Sequence, residues 1–135
     1  METNGERFEW KPGFSLTKYG SIFTLNCNQE FAQRFRNVLR DCGANEPAIN
    51  SLAEDFKYCL ESNEESVDPE SHDFMLSKFG HVYLLTCKRE FMHRLNAVLQ
   101  NFLVTNRVSP AIFSFSQQLD GYLLNKFNQK AHTDY

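Results

Sequence analysis

The sequence predicts an α+β fold in which two tandem β-β-α-α units share one antiparallel sheet packed against helices. The first observation behind this prediction is an internal repeat: residues 14–43 are echoed by residues 74–103, with identity at 11 of 30 positions. The second is a pair of strand-like runs around a glycine in each copy. The third is the helical spacing of apolar residues that follows. Together they predict a two-layer sandwich with a pseudo-twofold axis between the copies.

Each copy opens on two short runs rich in aromatic and β-branched residues, which favour β-strands. In the first copy these runs are residues 14–18 and 22–27, separated by Gly20, and Gly80 holds the same position in the second copy. The arrangement predicts a β-hairpin, because glycine adopts positive φ in a tight turn without steric cost. Both faces of the strands are fairly apolar. We therefore expect helices to cover one face fully and the other in part.

A first amphipathic helix is predicted directly after each hairpin. Its apolar residues fall at i, i+4, i+7, i+8 and i+11, counted from Phe31 in the first copy and from Phe91 in the second. Asn26 and Thr86 stand where an N-cap is expected, because their side-chain oxygens can accept a free backbone N–H. The predicted core positions of the two helices are Phe31, Phe35, Val38, Leu39, Cys42, Phe91, Leu95, Val98, Leu99 and Phe102.

A second helix is predicted to open at Pro47 in the first copy and at Pro110 in the second. Proline is favourable there because its missing N–H has no partner in the first helical turn. The offset between the two prolines is 63 residues, so the second copy carries a longer loop before this helix. The predicted core positions are Ile49, Leu52, Phe56, Cys59, Leu60, Ile112, Phe115, Leu119, Tyr122 and Leu123.

The 135 residues are predicted to form one domain, because a unit of about 50 residues buries too little apolar surface to be stable alone. We divide the chain into repeat one (7–60), an acidic linker (61–73), repeat two (74–128) and a flexible tail (129–135). Phe8 and Trp10 alternate in the segment 7–10, which favours an extra edge strand ahead of the first hairpin.

The charge of the chain is unevenly distributed. The whole chain has 14 basic against 17 acidic residues, and six of the acids lie in the linker, which has no Lys or Arg. Without the linker the balance is +3. The linker is typical of a solvated connector. Because the sequence shows neither a signal peptide nor a transmembrane run, we expect a soluble protein in the cytoplasm or nucleus, without membrane contact.

The sequence favours a non-catalytic protein. Its four cysteines, Cys27, Cys42, Cys59 and Cys87, fall on predicted core positions and lack the C-x-x-C spacing of a metal or redox motif. His81 and His93 have no histidine at the matching positions of the first copy. Phosphate-binding and hydrolase motifs are lacking. We therefore expect no enzyme, no cofactor and no metal site.

The leading hypothesis is a protein–protein interaction module, an adaptor or regulatory subunit that binds another protein or a second copy of itself. The last helix of copy two has a second apolar line, where copy one has polar residues. This line consists of Phe113, Leu124 and Phe127. A helix that is apolar on two sides is buried on two sides. The second side either covers the other unit within the monomer or forms a partner interface.

The alternative hypothesis is a protein that binds nucleic acid, either single-stranded or RNA. Lys18 and Arg34 recur in the second copy as Lys78 and Arg94, and Lys88 and Arg89 lie near them in that copy. These six residues are the candidates for phosphate or acidic-partner contacts. Tyr19, Phe79 and Tyr83 near the hairpins are candidates for stacking on bases.

Two observations bear on this alternative in opposite directions. Glu30 and Glu90 precede the repeated arginines by four residues, so Arg34 and Arg94 are also explained by ion pairs on a helix surface. The tandem hairpin-then-helix layout resembles that of the PUR-repeat single-strand binders. Each unit here has fewer strands than a PUR repeat and a second helix, so the resemblance covers the layout alone.

Overall fold

A computed structural model of the chain describes residues 13–69 and 73–124. The predicted edge strand at residues 7–10, the tail at 129–135 and the interface residue Phe127 lie outside the described residues. Within the described part, no helix is both long enough and apolar enough to span a membrane. The strands are β1 (Phe14–Tyr19), β2 (Ile22–Asn28), β3 (Ser66–Val67), β4 (Phe74–Phe79) and β5 (Val82–Lys88).

These strands form one antiparallel sheet in the order β1-β2-β5-β4-β3. The two hairpins, β1–β2 and β4–β5, meet through their second strands. At the centre of that junction Leu25 pairs with Leu85, flanked by the pairs Phe23–Cys87 and Cys27–Tyr83. Gly20 and Gly80 have positive φ in the two hairpin turns, as predicted.

Four helices accompany the sheet in the described part of the chain, which confirms the predicted α+β class. They are α1 (Gln29–Cys42), α2 (Pro47–Glu61), α3 (Arg89–Thr105) and α4 (Pro110–Leu123). Pro47 and Pro110 open α2 and α4, as predicted. At the start of α4 the Ser109 hydroxyl accepts a hydrogen bond from the backbone N–H of Ile112 (3.4 Å).

The predicted N-caps of the first helices, Asn26 and Thr86, are wrong by two residues. The cap of α1 is Asn28, whose side-chain oxygen accepts a hydrogen bond from the N–H of Phe31 (2.8 Å). The cap position of α3 is Lys88, which makes no side-chain capping bond. The strands run further than the local sequence indicates because Asn28 still pairs with Val82 and donates its N–H to the carbonyl of Gly13 (3.0 Å).

The described helices pack on one face of the sheet and enclose one continuous apolar core. Its centre combines rings from both halves: Phe35 on α1 lies 5.0 Å from Phe115 on α4 and 5.6 Å from Phe56 on α2, between ring centroids. Helix α2 contacts β4 of the second half, and α4 contacts β1 of the first half. The two halves therefore bury their apolar residues against each other.

Burial of the cysteines agrees with the core role expected from the sequence. Cys27, Cys59 and Cys87 are buried, Cys42 is half-buried, and all four are free thiols. Burial raises the pKa of the Cys42 and Cys59 thiols to about 11 and that of Cys87 to about 12. Thiols with such high pKa values are poor nucleophiles near neutral pH.

Strand β3 lies inside the segment interpreted as a solvated acidic linker. Val67 pairs with Lys78 and is buried, and Ser66 pairs with Phe79. The side-chain hydroxyl of Ser77 donates to the carboxylate of Asp68 (3.1 Å). The linker therefore contributes the last strand of the sheet as well as a connection.

Candidate functional site

The sheet has one face covered by the helices and one face that the described helices leave uncovered. Side chains alternate between the two faces along each strand, and directly paired residues lie on the same face. We call the uncovered surface the open face. Its residues are Ser15, Thr17, Tyr19, Ile22, Thr24, Asn26, Asn28, Met75, Ser77, Phe79, Val82, Leu84, Thr86 and Lys88. None of these residues is fully buried, in contrast to the covered face.

Exposed apolar side chains are concentrated on the open face. Five of the nine large hydrophobic side chains that are exposed in the described part of the chain belong to it. Tyr19 (76% exposed) pairs with Ile22, and Phe79 (55% exposed) pairs with Val82. We call the first pair corner one and the second pair corner two. They lie diagonally opposite, separated by about 20 Å along the strands and by about 10–15 Å across them. The fifth residue, Met75, lies between them at the edge.

The centre of the open face is polar but uncharged. Thr17, Thr24 and Thr86 follow one another across three strands, and the hydroxyl of Thr17 donates to the backbone carbonyl of Thr24 (3.4 Å). Ser15 and Asn26 form the next pair along the strands. These groups supply hydrogen-bond donors and acceptors between the apolar corners.

Lys88 is the one charged residue among those that define the open face, and the carboxylate of Asp68 contacts Ser77 at its β4 edge. Its mixture of exposed aromatic and aliphatic side chains, hydroxyls and little charge is the composition of the central part of a protein–protein interface. Phosphate recognition depends instead on several cations, each neutralising one phosphate. The physical character of the open face thus suits a protein surface better than a polyanion.

The predicted interface residues on α4 are exposed where the structure describes them. Phe113 and Leu124 remain exposed, whereas the core line of the same helix, represented by Phe115 and Leu119, is fully buried. Within the described residues the second apolar line therefore does not cover the other half. Phe113 and Leu124 are about 16 Å apart along the helix axis, since they are separated by 11 residues.

Two of the six basic residues predicted to contact a partner instead donate hydrogen bonds to carbonyl groups at the C-terminal ends of helices. Lys78 is buried on the covered face, and its ammonium group donates to the carbonyl of Ser62 (2.8 Å), the C-cap residue of α2. Arg89 donates to the carbonyl of Leu123 at the end of α4 (3.4 Å) and to His93 (3.3 Å). Cations are favourable at helix C-termini because free carbonyls accumulate there. Both side chains therefore have a structural explanation.

The other four basic residues are dispersed. Arg34 pairs with Glu30 (2.8 Å) on the exposed surface of α1. No corresponding ion pair between Arg94 and Glu90 is present among the described contacts of α3. The two remaining lysines lie on opposite faces of the sheet: Lys18 pairs with Phe23 on the covered face, and Lys88 pairs with Ile22 on the open face. The structure does not bring the six predicted basic residues together.

The predicted stacking residues separate into two groups. Tyr19 and Phe79 are exposed on the open face. Tyr83 is buried under α2, where burial raises the pKa of its hydroxyl and its ring lies 6.5 Å from that of Phe56. Strand alternation explains the difference, because Tyr83 pairs with Cys27 and Lys78 on the covered face.

Two further features of the described residues lie outside the open face. A shallow groove of about 370 Å³ lies between the ends of α1 and α3 and is lined by Asp41, Cys42, Glu46 and Phe102 among others. On α2, one carboxylate oxygen of Asp55 is enclosed without a hydrogen-bond partner. Burial, reinforced by the neighbouring Glu54, raises the pKa of this carboxyl group. Among residues 13–69 and 73–124, no cluster of three His, Cys, Asp or Glu side chains has the arrangement of a metal site.

The chain matches no protein-family model, no curated protein and no solved structure. Its candidate site therefore depends on residue chemistry and geometry. The open face as a whole was missed by the sequence analysis, which expected helices to cover one strand face fully and the other in part. The available signal was the placement of Tyr19, Ile22, Phe79 and Val82 next to the hairpin turns, where helix cover ends.

Proposed function

We propose that this protein is a non-catalytic protein-binding module, an adaptor or regulatory subunit, whose main contact surface is the open face. The observation that supports this is the collection of five exposed apolar side chains on a sheet surface with few charges. Large exposed apolar patches mark interaction sites. Aromatic anchors supply much of the binding energy at such sites, and Tyr19 and Phe79 are the candidates here.

We further propose that the two halves arose by duplication and are related by a pseudo-twofold axis through the Leu25–Leu85 pair. These residues are equivalent in the sequence repeat and pair with each other. The pair Phe23–Cys87 becomes Tyr83–Cys27 when each residue is replaced by its equivalent. The same operation exchanges corner one with corner two, so the open face presents two equivalent apolar anchors.

The exposed line on α4 is the second contact surface in this proposal. Phe113 and Leu124 replace Asn50 and Glu61 of the first repeat, so the second repeat has gained apolar surface there. Two separated side chains offer less area than the open face. We therefore assign α4 an auxiliary contribution.

Affinity capture from the native extract tests the proposed function. Three variants of the full chain are compared with the parent: Tyr19→Glu/Phe79→Glu on the open face, Phe113→Glu/Leu124→Glu on α4, and Tyr58→Glu as a control. Tyr58 is 58% exposed on α2, close to the exposure of Phe79. All are first checked for folding by circular dichroism.

The proposal expects a specific partner, another protein or the native chain itself, to be lost with the open-face variant, reduced with the α4 variant and retained with Tyr58→Glu. Recovery of the same proteins at the same levels with all three variants would contradict it.

One observation favours a second candidate function, the binding of single-stranded nucleic acid. Tyr19 and Phe79 offer two exposed rings on an open sheet, and base stacking on aromatic rings tolerates any sequence. Titration of labelled single- and double-stranded oligonucleotides at low ionic strength tests it. Binding that weakens with salt and is lost in Tyr19→Glu/Phe79→Glu supports this function. No binding at about 50 µM, within the usual range for non-specific complexes, removes it.

A further inference from the structure

We infer that the open face binds the open face of a second copy of this chain, forming a symmetric homodimer by face-to-face packing of two sheets. This inference rests on the proposed function and names its partner. The charge, the pattern and the area of the open face support a second copy of the chain as this partner.

The charge of the open face is compatible with self-association. Its listed residues carry one charged side chain, Lys88, and the carboxylate of Asp68 lies against its β4 edge, where it accepts a hydrogen bond from Ser77 (3.1 Å). A surface that carries a strong charge repels its own copy and selects a partner of opposite sign. The open face has too little charge to repel its own copy or to select an oppositely charged partner. Its binding energy must come from apolar and hydrogen-bonding groups, which a second copy supplies in equal measure.

The pattern of the open face is self-complementary. Corner one and corner two lie at the ends of a diagonal, with the uncharged row of Thr17, Thr24 and Thr86 between them. A twofold axis in the interface, along this diagonal or perpendicular to it, places apolar corners on apolar corners and the polar centre on the polar centre. An isologous interface requires this kind of match. In either arrangement Lys88 lies off the axis and does not face its own copy.

The area of the open face sets the strength of the dimer. Four strands span about 19 Å across and seven residues span about 23 Å along the sheet, so the face measures roughly 440 Å². Two copies would bury about 900 Å², which is below the roughly 1,200 Å² of the smallest stable interfaces and within the range of weak, transient contacts. The inference therefore expects a dimer whose Kd is in the micromolar range, not an obligate one. This agrees with a core that each chain completes for itself.

Sedimentation velocity of the purified full chain, from about 1 µM to about 500 µM, tests the inference. The parent is expected to pass from monomer to dimer within this range. Tyr19→Glu/Phe79→Glu is expected to raise the Kd at least tenfold, because acidic side chains then meet across the twofold axis. Tyr58→Glu, which changes an equally exposed aromatic residue on the helical side, is expected to leave the Kd unchanged.

A mixing experiment makes the test specific for the twofold contact. Tyr19→Lys/Phe79→Lys alone is expected to raise the Kd as the acidic variant does. A mixture of the acidic and basic variants is expected to restore the dimer, whichever of the two axes applies. A parent that stays monomeric up to about 500 µM overturns the inference, as does a dimer that is broken by Phe113→Glu/Leu124→Glu and not by the open-face variants.

Failure of the homodimer can be distinguished from failure of the proposed function. If the purified chain is a monomer but captures from the extract a protein that Tyr19→Glu/Phe79→Glu does not capture, the homodimer is wrong and the proposed function stands. If the purified chain is monomeric and no capture depends on the open face, both are wrong. If the parent binds an oligonucleotide that Tyr19→Glu/Phe79→Glu does not bind, and no protein complex depends on the open face, the face is assigned to nucleic acid. That result overturns both the homodimer and the proposed function.

Discussion

The two faces of the sheet are built from the same strands but follow different rules. On the covered face, the repeat-equivalent residues of the hairpins are identical at every position except Phe23 and Tyr83. On the open face, no equivalent pair is identical; corner one, for example, has Tyr19 where corner two has Phe79. Close packing against helices restricts the covered face, because interiors tolerate little change in volume. The open face is free of that restriction, so its apolar residues require a different explanation, which a binding role provides.

The largest expected effect is truncation at the centre of the covered face. Leu25→Ala removes a fully buried side chain at the junction of the two hairpins and should lower the free energy of unfolding by about 3 kcal/mol. Thr24→Ala, its neighbour on the open face, should change the same quantity by less than about 0.5 kcal/mol. Urea denaturation of both variants measures the difference. Equal losses would mean that the two faces are not distinguished by burial.

Asn28 is the residue of the open face that should matter for stability. Its side chain caps α1 through the N–H of Phe31, so Asn28→Ala should cost about 1 kcal/mol. Lys88 occupies the equivalent position before α3 without a side-chain cap, so Lys88→Ala is the matched control with an expected change near zero. If Lys88→Ala proved as destabilising as Asn28→Ala, the assignment of a side-chain cap to α1 and not to α3 would be wrong.

A smaller effect is expected from the enclosed carboxylate in the helix layer. Because the pKa of Asp55 is raised on folding, the folded chain holds this proton more tightly than the unfolded chain does. The parent therefore loses stability as the pH rises from the unfolded pKa through the folded one. Asp55→Asn removes this loss and should gain on the order of 0.5 kcal/mol at neutral pH, which is less than for a fully buried unsatisfied group because solvent screens the partly exposed Asp55.

The pH dependence distinguishes this explanation from a general effect of the amide. The gain from Asp55→Asn should disappear below the unfolded pKa of an aspartate, because the parent carboxyl group is then protonated in both states. Thermal unfolding at several pH values measures it. A gain that is independent of pH would show that ionisation of Asp55 is not the cause.

The smallest expected change in stability belongs to the proposed contact residues. Tyr19→Glu/Phe79→Glu alters two exposed side chains and should shift the free energy of unfolding by less than about 0.5 kcal/mol when measured on the monomer at about 1 µM. A large loss would show that the corners serve the fold and would remove the basis for a binding role.

Much of the fold was predictable because its signals are local. Apolar periodicity located the four helices, and Gly20 and Gly80 located the hairpin turns. The N-caps were misplaced because pairing of Asn28 with Val82, a contact across the chain, extends the strand. Strand β3 was missed because a single buried residue, Val67, is hidden in an acidic segment. Non-local pairing overrides local composition in both cases.

The candidate site was only partly predictable. Tyr19 and Phe79 were recognised as aromatic residues near the hairpins, and both are exposed. Tyr83 was grouped with them although its spacing places it on the same strand face as Leu85 and Cys87, so the signal against it was present in the sequence. The role of Lys78 was not predictable, because it depends on where α2 ends relative to β4.

The most direct test of the central claim is the electron paramagnetic resonance spectrum of a nitroxide at the centre of the open face. The label is attached through Thr24→Cys in a Cys42→Ser background, because the other three cysteines are buried. A label at Tyr58→Cys on the helical side is the control. The account predicts that the Thr24 label becomes immobilised as the chain concentration rises or a captured partner is added, and that the Tyr58 label does not change. An unchanged Thr24 label together with an immobilised Tyr58 label would contradict the claim that the open face is the binding surface.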